Sequence, residues 1–514
     1  MTNRLFLGGI LLFASLPVAA QNRVKVKPNV IYIYADDMGK GMLSAYGQQQ
    51  FQTPNIDRLI QYGTSFSRAY GCMLSAPARA SLLTGYNDCH GTEKWNISRG
   101  GAYLYSVTDT NKIAPVETSI DSVDVRLPKG DYYLPQVFKK AGYFTAQIGK
   151  LEYGFTATRA QMTRHGWDYY YGYLDHIRCH GYYPPFLFDN GKIVPIPGNT
   201  HTNCGKSIEQ ETDKTLAERW DKNGKEVYVQ NIFLNKILAF LRTHKDKPFF
   251  LYHPTTLPHG PVAVPAIDPE IANNTHLTTI EKEYASMVKL LDDNIGAIIA
   301  ELQRLGIADH TIIVFASDNG HEIYYAQKGR CEKPYRNLQT GKLYDDLGNK
   351  YYSSTSGDIF NGNASMAGLK RSNLEGGVHI PLVFYCPGII PQGKVCKELV
   401  SNYDFLPTVA DMLHVLLPIK KDGQSYLSSL LQNKKQKADR YVVFGSYTGP
   451  GIVYDNGWKL RYYLPKNVWE LFYLPNDPQE RKDLSRQYPD RLKQLQNILL
   501  RECRGNIDNG VTHN

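Results

Sequence analysis

Four short apolar runs constrain the fold of this chain more than any other feature of its sequence. Helical patterns separate the runs, which lie at residues 30–34, 144–148, 248–253 and 311–316. Buried strands that alternate with amphipathic helices favour a largely parallel sheet, because each parallel pair needs a crossover connection. The sequence therefore predicts an α/β fold, with a mostly parallel mixed sheet sandwiched by helices.

The helical patterns between these runs have recognisable starts and lengths. The first begins at Pro54, with Thr53 as a candidate N-cap, and others cover residues 133–141, 227–243 and 281–305. Residues 322–372 are polar and rich in Tyr, Gly and Ser, which predicts a long loop with local structure.

The pattern changes near residue 418. Shorter strand patterns and a terminal helix follow, at residues 441–444, 459–463, 469–473 and 489–501. We therefore expect an N-terminal α/β catalytic domain at residues 21–418 and a smaller C-terminal α+β subdomain at residues 419–514.

Residues 1–20 have the anatomy of a cleaved secretory signal peptide. A lone Arg4 precedes an apolar run over residues 5–16, which ends in small residues. The run is shorter than the roughly 20 residues that a membrane span needs. We expect an exported protein, periplasmic or secreted, without membrane insertion.

Composition and charge exclude several classes of protein. The chain has 514 residues, of which 42% are hydrophobic and 21% charged, values typical of soluble globular proteins. The formal net charge of +9 is scattered, so no nucleic-acid partner is expected. A basic surplus suits an anionic substrate, but on charge alone a merely basic surface is the better explanation.

The eight cysteines show neither a C-x-x-C pair nor zinc spacing. An oxidising compartment would permit disulfides. Cys386 and Cys396 flank a turn that contains Pro and Gly, and they are the first pair to test.

Oxygen-bearing side chains follow the ends of two predicted strands, where ligands bind in open α/β sheets. Each one alone is also a common cap or turn residue. Together, three carboxylates and an amide suit Ca²⁺ or Mg²⁺ rather than zinc. They are Asp36, Asp37, Asp318 and Asn319.

Basic side chains accompany these oxygen donors. Lys150 follows the run at 144–148, His259 lies between Pro258 and Pro261, and Arg79 begins a helical pattern. Each could be an ordinary loop or surface residue. Next to a cation, they would supply the charge-assisted hydrogen bonds that an oxyanion needs.

One short motif gives the pattern a chemical meaning. The stretch Ser75-Ala76-Pro77-Ala78-Arg79, followed by Leu83-Thr84-Gly85, resembles the signature of the type I sulfatases of the alkaline phosphatase superfamily. That signature has Cys or Ser two residues before Pro and four before Arg. Ser75 has this spacing and Cys72 does not. Further segments match in order, namely Gly149-Lys150, Pro258-His259-Gly260-Pro261, Ser317-Asp318-Asn319-Gly320 and Lys370 before Glu375-Gly376-Gly377.

The resemblance implies an alkaline phosphatase-like fold and a reactive group made after synthesis. A Ser-type sulfatase-maturing enzyme would oxidise Ser75 to formylglycine, whose hydrate accepts the sulfuryl group and then releases sulfate. The resemblance also implies one divalent cation, Ca²⁺ rather than Mg²⁺. Its ligands would be Asp36, Asp37, Asp318, Asn319 and residue 75.

The resemblance assigns roles to the basic residues as well. Arg79 would hold the hydrate, and Lys150 and Lys370 would neutralise the sulfate oxygens. His259 would bind substrate and protonate the departing sugar oxygen, with Lys370 nearby.

Two positions depart from the family pattern. Glu152 stands where a histidine is usual after the first lysine, so either Glu152 acts as a base or His180 substitutes in binding substrate. His379 stands where an arginine is usual, which we expect to affect packing more than chemistry.

The resemblance implies a sulfuric ester hydrolase, most simply a bacterial carbohydrate sulfatase acting on a sulfated glycan. Residues 168–183 hold six tyrosines, which form either a sugar-stacking wall or a buried cluster. A phosphodiesterase or phosphonate hydrolase of the same superfamily is one rival. A non-catalytic glycan-binding relative is the other, and it would be expected to lack the motif or the metal ligands.

Overall fold

A computed structural model describes most of the chain. The described residues are 27–90, 127, 129–150, 152, 159–173, 178–200, 221, 223–327, 335–336, 340–341, 343–344, 347–432 and 439–512. The predicted signal peptide at residues 1–20 lies outside them, as do Cys204 and Cys331. None of the helices in the described part is long and apolar enough to cross a bilayer.

The described part of the chain contains sixteen β-strands. They are β1 (Asn29–Ala35), β2 (Thr64–Tyr70), β3 (Phe144–Gly149), β4 (Tyr169–Gly172), β5 (Phe186–Asp189), β6 (Lys192–Pro195), β7 (Phe249–Pro254), β8 (Thr311–Ser317), β9 (Tyr335–Arg336), β10 (Leu343–Tyr344), β11 (Leu382–Tyr385), β12 (Lys394–Ser401), β13 (Tyr441–Phe444), β14 (Gly451–Tyr454), β15 (Trp458–Tyr463) and β16 (Val468–Tyr473).

The described α-helices alternate with most of these strands. They are α1 (Pro54–Tyr62), α2 (Ser75–Thr84), α3 (Leu134–Lys140), α4 (Arg159–His165), α5 (Val229–His244), α6 (Pro269–Ala272), α7 (Thr279–Arg304), α8 (Ser353–Ser356), α9 (Glu375–Val378), α10 (Phe405–Met412), α11 (Leu427–Gln432) and α12 (Pro489–Glu502).

Ten strands form one large sheet, in the order β12-β2-β11-β8-β1-β7-β3-β4-β5-β6. The central run from β8 to β4 is parallel, and antiparallel pairings reverse β11 and β5 relative to their neighbours. The expected mostly parallel, mixed sheet is confirmed.

Strand β1 shows why helices cover both faces of this sheet. Successive side chains of a strand point to opposite faces, and every residue of β1 is buried. Ile31 and Ile33 join the core that contains α5 and α7, whereas Val30 and Tyr32 join the core that contains α3 and α10. A strand buried on both faces is therefore a continuous apolar run.

The C-terminal part forms a separate four-stranded antiparallel sheet, β13-β14-β15-β16. Leu495 and Leu499 of α12 pack against Leu460 and Leu471 of this sheet. On the other side, Phe444 packs with Tyr70 at the end of β2. This sheet and helix have the expected α+β character, and the boundary at residue 418 stays a prediction.

The cysteine pair that the sequence suggested testing first, Cys386 and Cys396, is wrong, because a strand separates the two residues. Cys396 lies on β12, and Cys386 directly follows β11, with β2 between these strands. Two strand spacings amount to about 9.6 Å, beyond the Cα separation of about 7 Å that a disulfide spans.

The tyrosine-rich segment at 168–183 contributes to the core. Five of its six tyrosines are buried, with only Tyr169 partly exposed. Tyr182, for example, stacks on Tyr228 at a ring-centroid distance of 5.3 Å. Of the two alternatives, the geometry therefore fits the buried cluster and not a sugar-stacking wall.

The two-faced burial of β1 makes a stability prediction. Ile33→Ala should destabilise the protein by about 2–5 kcal/mol, because the cavity has no route to solvent. The measurement is thermal or denaturant unfolding followed by circular dichroism. Val395→Ala is the matched control, because Val395 lies on β12 and is 60% exposed. Equal effects at the two positions would contradict this account of the sheet.

Candidate active site

The parallel strands bring buried polar side chains to one edge of the large sheet. Asp36 follows β1, Lys150 follows β3 and Asp318 follows β8, and with β7 these strands are neighbours. The Asp318 amide donates to the Ala35 carbonyl at 3.1 Å, and the Lys150 amide to the Pro254 carbonyl at 2.6 Å. Groups far apart in sequence therefore meet at fixed positions.

Ser75 is the first residue of α2 and points into this edge. Its Oγ donates a hydrogen bond of 2.5 Å to Asp36 Oδ1. Arg79 lies one helical turn later, so it shares the face of Ser75. An Arg79 Nη atom lies 3.6 Å from Asp36 and 3.4 Å from Asp318. The helix thus carries a hydroxyl and a guanidinium to the same carboxylates.

Asp36 is charged although it is fully buried. Burial alone would raise the pKa of its carboxyl, but Lys150 and then His259 outweigh burial and hold the pKa well below its usual value. Lys150 Nζ donates directly to Asp36 Oδ2. His180 Nε2 lies 3.4 Å from the same Nζ, so His180 joins the cluster as well.

Asp37 is held in an unusual backbone conformation beside Asp36. Its φ of 63° lies in the left-handed region that non-glycine residues seldom adopt. Its amide donates to Asp318 Oδ1 at 3.0 Å, and its carboxylate accepts from Asn319 Nδ2 at 2.8 Å. The strained turn therefore turns two adjacent carboxylates toward one point.

The oxygen donors have the properties of a cation site. Burial and then Asp36 raise the pKa of Asp318 to about 8, because three carboxylates crowd one dry site. Asn319 Oδ1 is buried without a hydrogen-bond partner among the described residues. A hard cation such as Ca²⁺ would satisfy both conditions. Asp36, Asp37 and His259 also offer ligand atoms within 4.8 Å of one another.

His259 and Lys370 lie on the Asp37 side of the cluster. Lys370 Nζ is 2.5 Å from Asp37 Oδ2 and 3.2 Å from His259 Nε2. His259 Nδ1 lies 2.5 Å from the Gly260 carbonyl, which can only accept, so Nδ1 carries a hydrogen. The Nε2 atom is therefore the one that can gain or lose a proton. The ring also stacks on His180 at 4.2 Å between centroids.

Glu152 is bound to other groups. His165 Nδ1 lies 2.7 Å from one carboxylate oxygen, and Trp167 Nε1 donates to the other at 2.6 Å. Of the two alternatives for the missing histidine, the geometry favours His180, which contacts Lys150 and His259.

The C-terminal sheet supports the loop that carries Lys370. Lys459 of β15 lies 2.9 Å from both Glu375, the first residue of α9, and Glu480. Glu375 also accepts from the Tyr70 hydroxyl at 2.9 Å. Next to it, His379 stacks on Tyr70 at 5.1 Å, which agrees with a packing role. Residues that follow Lys370 are therefore fixed by buried charges from the C-terminal part.

Two tyrosines in the cluster had no signal in the sequence. Tyr324 donates to Asp37 and lies 3.3 Å from Lys370 Nζ. Tyr252, on β7, accepts from Arg79 at 3.4 Å. Tyr324 lies in the polar segment and Tyr252 in an apolar run, so only their tertiary contacts identify them.

Comparison with known families agrees with this geometry. The family model for sulfatases matches residues 28–415. A second model, described as the C-terminal part of N-sulphoglucosamine sulphohydrolase, matches residues 369–504.

Individual relatives have low sequence identity to this chain, but they align with most of its length. N-acetylgalactosamine-6-O-sulfatase of Bacteroides thetaiotaomicron is 27% identical over 534 aligned positions, covering 92% of each chain. N-acetylgalactosamine-6-sulfatase of Rattus norvegicus is 28% identical, covering 87% of this chain and 73% of the relative. Among solved structures, Ps i-CgsB in complex with k-i-k-neocarrahexaose has a TM-score of 0.68 at 24% identity, covering 95% of both chains. That structural likeness concerns the fold.

The raised pKa of Asp318 makes a prediction about cation binding. At neutral pH the cation must displace the proton of the Asp318 carboxyl. Below the pKa of Asp318, Ca²⁺ affinity should therefore rise roughly tenfold per pH unit, and above that pKa it should level off. Calorimetric titration of chelator-treated protein between about pH 6 and pH 8 measures this. Asp189→Asn is the control, because Asp189 pairs with Lys236 at the end of β5. Affinity independent of pH would contradict the prediction.

Proposed function

This chain belongs to the sulfatase family, and we propose that it hydrolyses O-sulfate esters of a carbohydrate through a formylglycine formed at Ser75 and a bound divalent cation. As a family member it is a sulfuric ester hydrolase. The proposal concerns the substrate class, the reactive group and the cation.

One observation carries the proposal. Ser75 Oγ, at the start of α2, lies 2.5 Å from a carboxylate that Lys150 and Arg79 also contact. The Ser75 hydroxyl donates to Asp36, and the lowered pKa of that carboxyl makes it a weak base that does not activate serine as an ordinary nucleophile. The same position suits a modified side chain that shares a cation with Asp36.

Formylglycine would supply the chemistry that serine lacks, since its hydrate accepts the sulfuryl group and afterwards expels sulfate with return of the aldehyde. The chain's own contribution is to hold residue 75. Arg79 would hold the oxygen of residue 75 from one turn along α2, and Asp36 accepts the hydrogen of the Ser75 hydroxyl. A Ser-type maturing enzyme would be the partner that makes the modification.

A divalent cation, Ca²⁺ in preference to Mg²⁺, would polarise the oxygens that it binds. Its ligands would be Asp36, Asp37, Asp318, Asn319 and residue 75. The crowded carboxylates and the unpartnered Asn319 oxygen support this assignment. Irregular geometry with several carboxylates is what Ca²⁺ tolerates best.

The sulfate group would lie between two buried lysines. Lys150 and Lys370 are 0% and 2% exposed and contact Asp36 and Asp37 respectively. Their ammonium groups would neutralise the sulfate oxygens in a site that excludes water, where such contacts are strong. His180, beside Lys150, would add a donor to the same group.

His259 would protonate the leaving sugar oxygen. Its Nδ1–H is held by the Gly260 carbonyl, which fixes the ring and leaves Nε2 for proton transfer. Lys370 lies 3.2 Å from that Nε2 and can return a proton to it. A sugar alkoxide is a poor leaving group, so general-acid help matters for this substrate class.

The carbohydrate assignment rests on relatives. Curated relatives are N-acetylgalactosamine-6-sulfatases, and the structure of one fold neighbour holds k-i-k-neocarrahexaose. The predicted signal peptide supports an exported, periplasmic or secreted enzyme that meets glycans outside the cytoplasm. Release of sulfate, and not phosphate, from small aryl esters separates the proposal from a phosphodiesterase.

The modification of Ser75 has a direct test. Protein made with a Ser-type maturing enzyme should carry a residue 75 lighter by two hydrogens, and protein made without it should be folded but inactive. Mass spectrometry of the peptide containing Ser75, with a sulfate-release assay, measures both. Ser75→Ala should bind Ca²⁺ and stay inactive in either host. Full activity from intact serine would refute the modification.

The role of His259 is tested by changing the leaving group. His259→Ala should slow a sulfated sugar by about 10²–10⁴-fold and an activated aryl sulfate far less, because an aryl oxide leaves without a proton. His180→Ala is the matched control, since a sulfate-binding residue should affect both substrates alike. Equal losses for His259→Ala, with a lowered melting temperature, would indicate a structural role and make Lys370 the acid.

A further inference from the structure

Two buried thiols meet where the N-terminal part contacts the C-terminal part. Cys89 lies five residues beyond the end of α2, and Cys503 directly follows α12. Both are fully buried, in one apolar cluster with Leu495 and Leu499. The side chain of Cys503 is the main reason that the pKa of the Cys89 thiol lies well above its usual value, as expected for neighbouring thiols.

Neighbouring contacts hold the two segments together independently of the thiols. Arg504 Nε donates to His90 Nδ1 at 3.2 Å, so the residues after each cysteine also touch. On the other side of Cys89, the Gly445 amide donates to Asp88 Oδ1 at 2.8 Å. Contacts of the neighbouring residues therefore keep the Cys89 and Cys503 segments close together.

Three other described cysteines contact different groups. The Cys72 thiol donates to Ser81 Oγ at 3.4 Å, and the thiols of Cys386 and Cys396 donate to backbone carbonyls. Cys72 lies near Cys89 as well, which makes it the natural competitor in a test.

We propose that Cys89 and Cys503 form a disulfide in the exported protein, linking the segment after the Ser75 helix to the terminal helix. Two S–H bonds break and one S–S bond forms, with loss of two protons and two electrons. A protein disulfide oxidant accepts the electrons, and its own S–S bond is reduced to two thiols. The proposal rests on export, and not on the sulfatase chemistry.

Burial decides when this bond can form. Donation of the Cys89 S–H toward Cys503 and then burial raise the pKa of the Cys89 thiol, and the thiolate is the form that attacks a disulfide. Oxidation should therefore occur while the chain folds. Once formed, the bond should resist added thiols until the protein unfolds.

The bond would close a loop of more than four hundred residues. Cross-links across long loops restrict the unfolded chain most in the chain-entropy model. Because the bond would join the segment after α2 to the end of α12, the disulfide should delay separation of the C-terminal sheet from the large sheet. Catalysis itself should not require it.

The test uses full-length protein refolded with oxidised and reduced glutathione, then alkylated under denaturing conditions. Peptide mass mapping should show residues 89 and 503 linked, with Cys386 and Cys396 alkylated. Without denaturant, dithiothreitol should leave the link intact, and with guanidinium it should break it. Cys503→Ser should lower the melting temperature by about 5 °C, and Cys396→Ser, the control, should not.

Alkylation of both Cys89 and Cys503, or a link between Cys72 and Cys89, would overturn the proposal. If Cys503→Ser fails to fold, the peptide mass map of the unaltered protein still shows whether residues 89 and 503 are linked. Sulfatase activity is not a readout in this test, so failure of the proposed function would not affect it.

Discussion

The balance of buried charge at one edge of the large sheet is the constraint on which the rest of the structure depends. Three carboxylates, from Asp36, Asp37 and Asp318, lie there with full burial. Isolated charges in such a place would be very costly. Arg79, Lys150 and Lys370 compensate them at hydrogen-bonding or ion-pair distance. Asp318 keeps a raised pKa because burial and the neighbouring Asp36 outweigh the effect of Arg79, and a divalent cation beside it would favour its charged form.

The architecture follows from the need to hold these charges rigidly. Residues at the ends of β1, β3 and β8 can approach one another only if those strands are parallel and close in the sheet, as the pairing shows, with β7 between β1 and β3. Helices on both faces then exclude water from the sheet, and α2 brings in Ser75 and Arg79 from one side. The loop with His259, after β7, completes the ring of side chains.

The central strands of the large sheet were easier to predict from the sequence than the strands at its edges. The apolar runs of β1, β3, β7 and β8 are buried on both faces, so their signal was continuous. Strand β12 (KVCKELVS) alternates charged and apolar residues at the sheet edge, where pattern alone does not separate strand from loop. The motif at Ser75 identified the family, and single residues after strands identified most of the cluster. The place of Tyr324 in the cluster and the hydrogen bond from Trp167 to Glu152 are tertiary contacts, which a local sequence pattern does not predict.

The trio of Glu375, Lys459 and Glu480 has an evolutionary consequence. Lys459 stands on the C-terminal sheet, whereas Glu375 belongs to the loop that positions the active-site lysine. A recombination event that replaced the C-terminal region with a homologous one lacking this lysine would leave Glu375 in the interior without that counter-charge. Positions 375 and 459, which lie in different regions of the gene, should therefore change together.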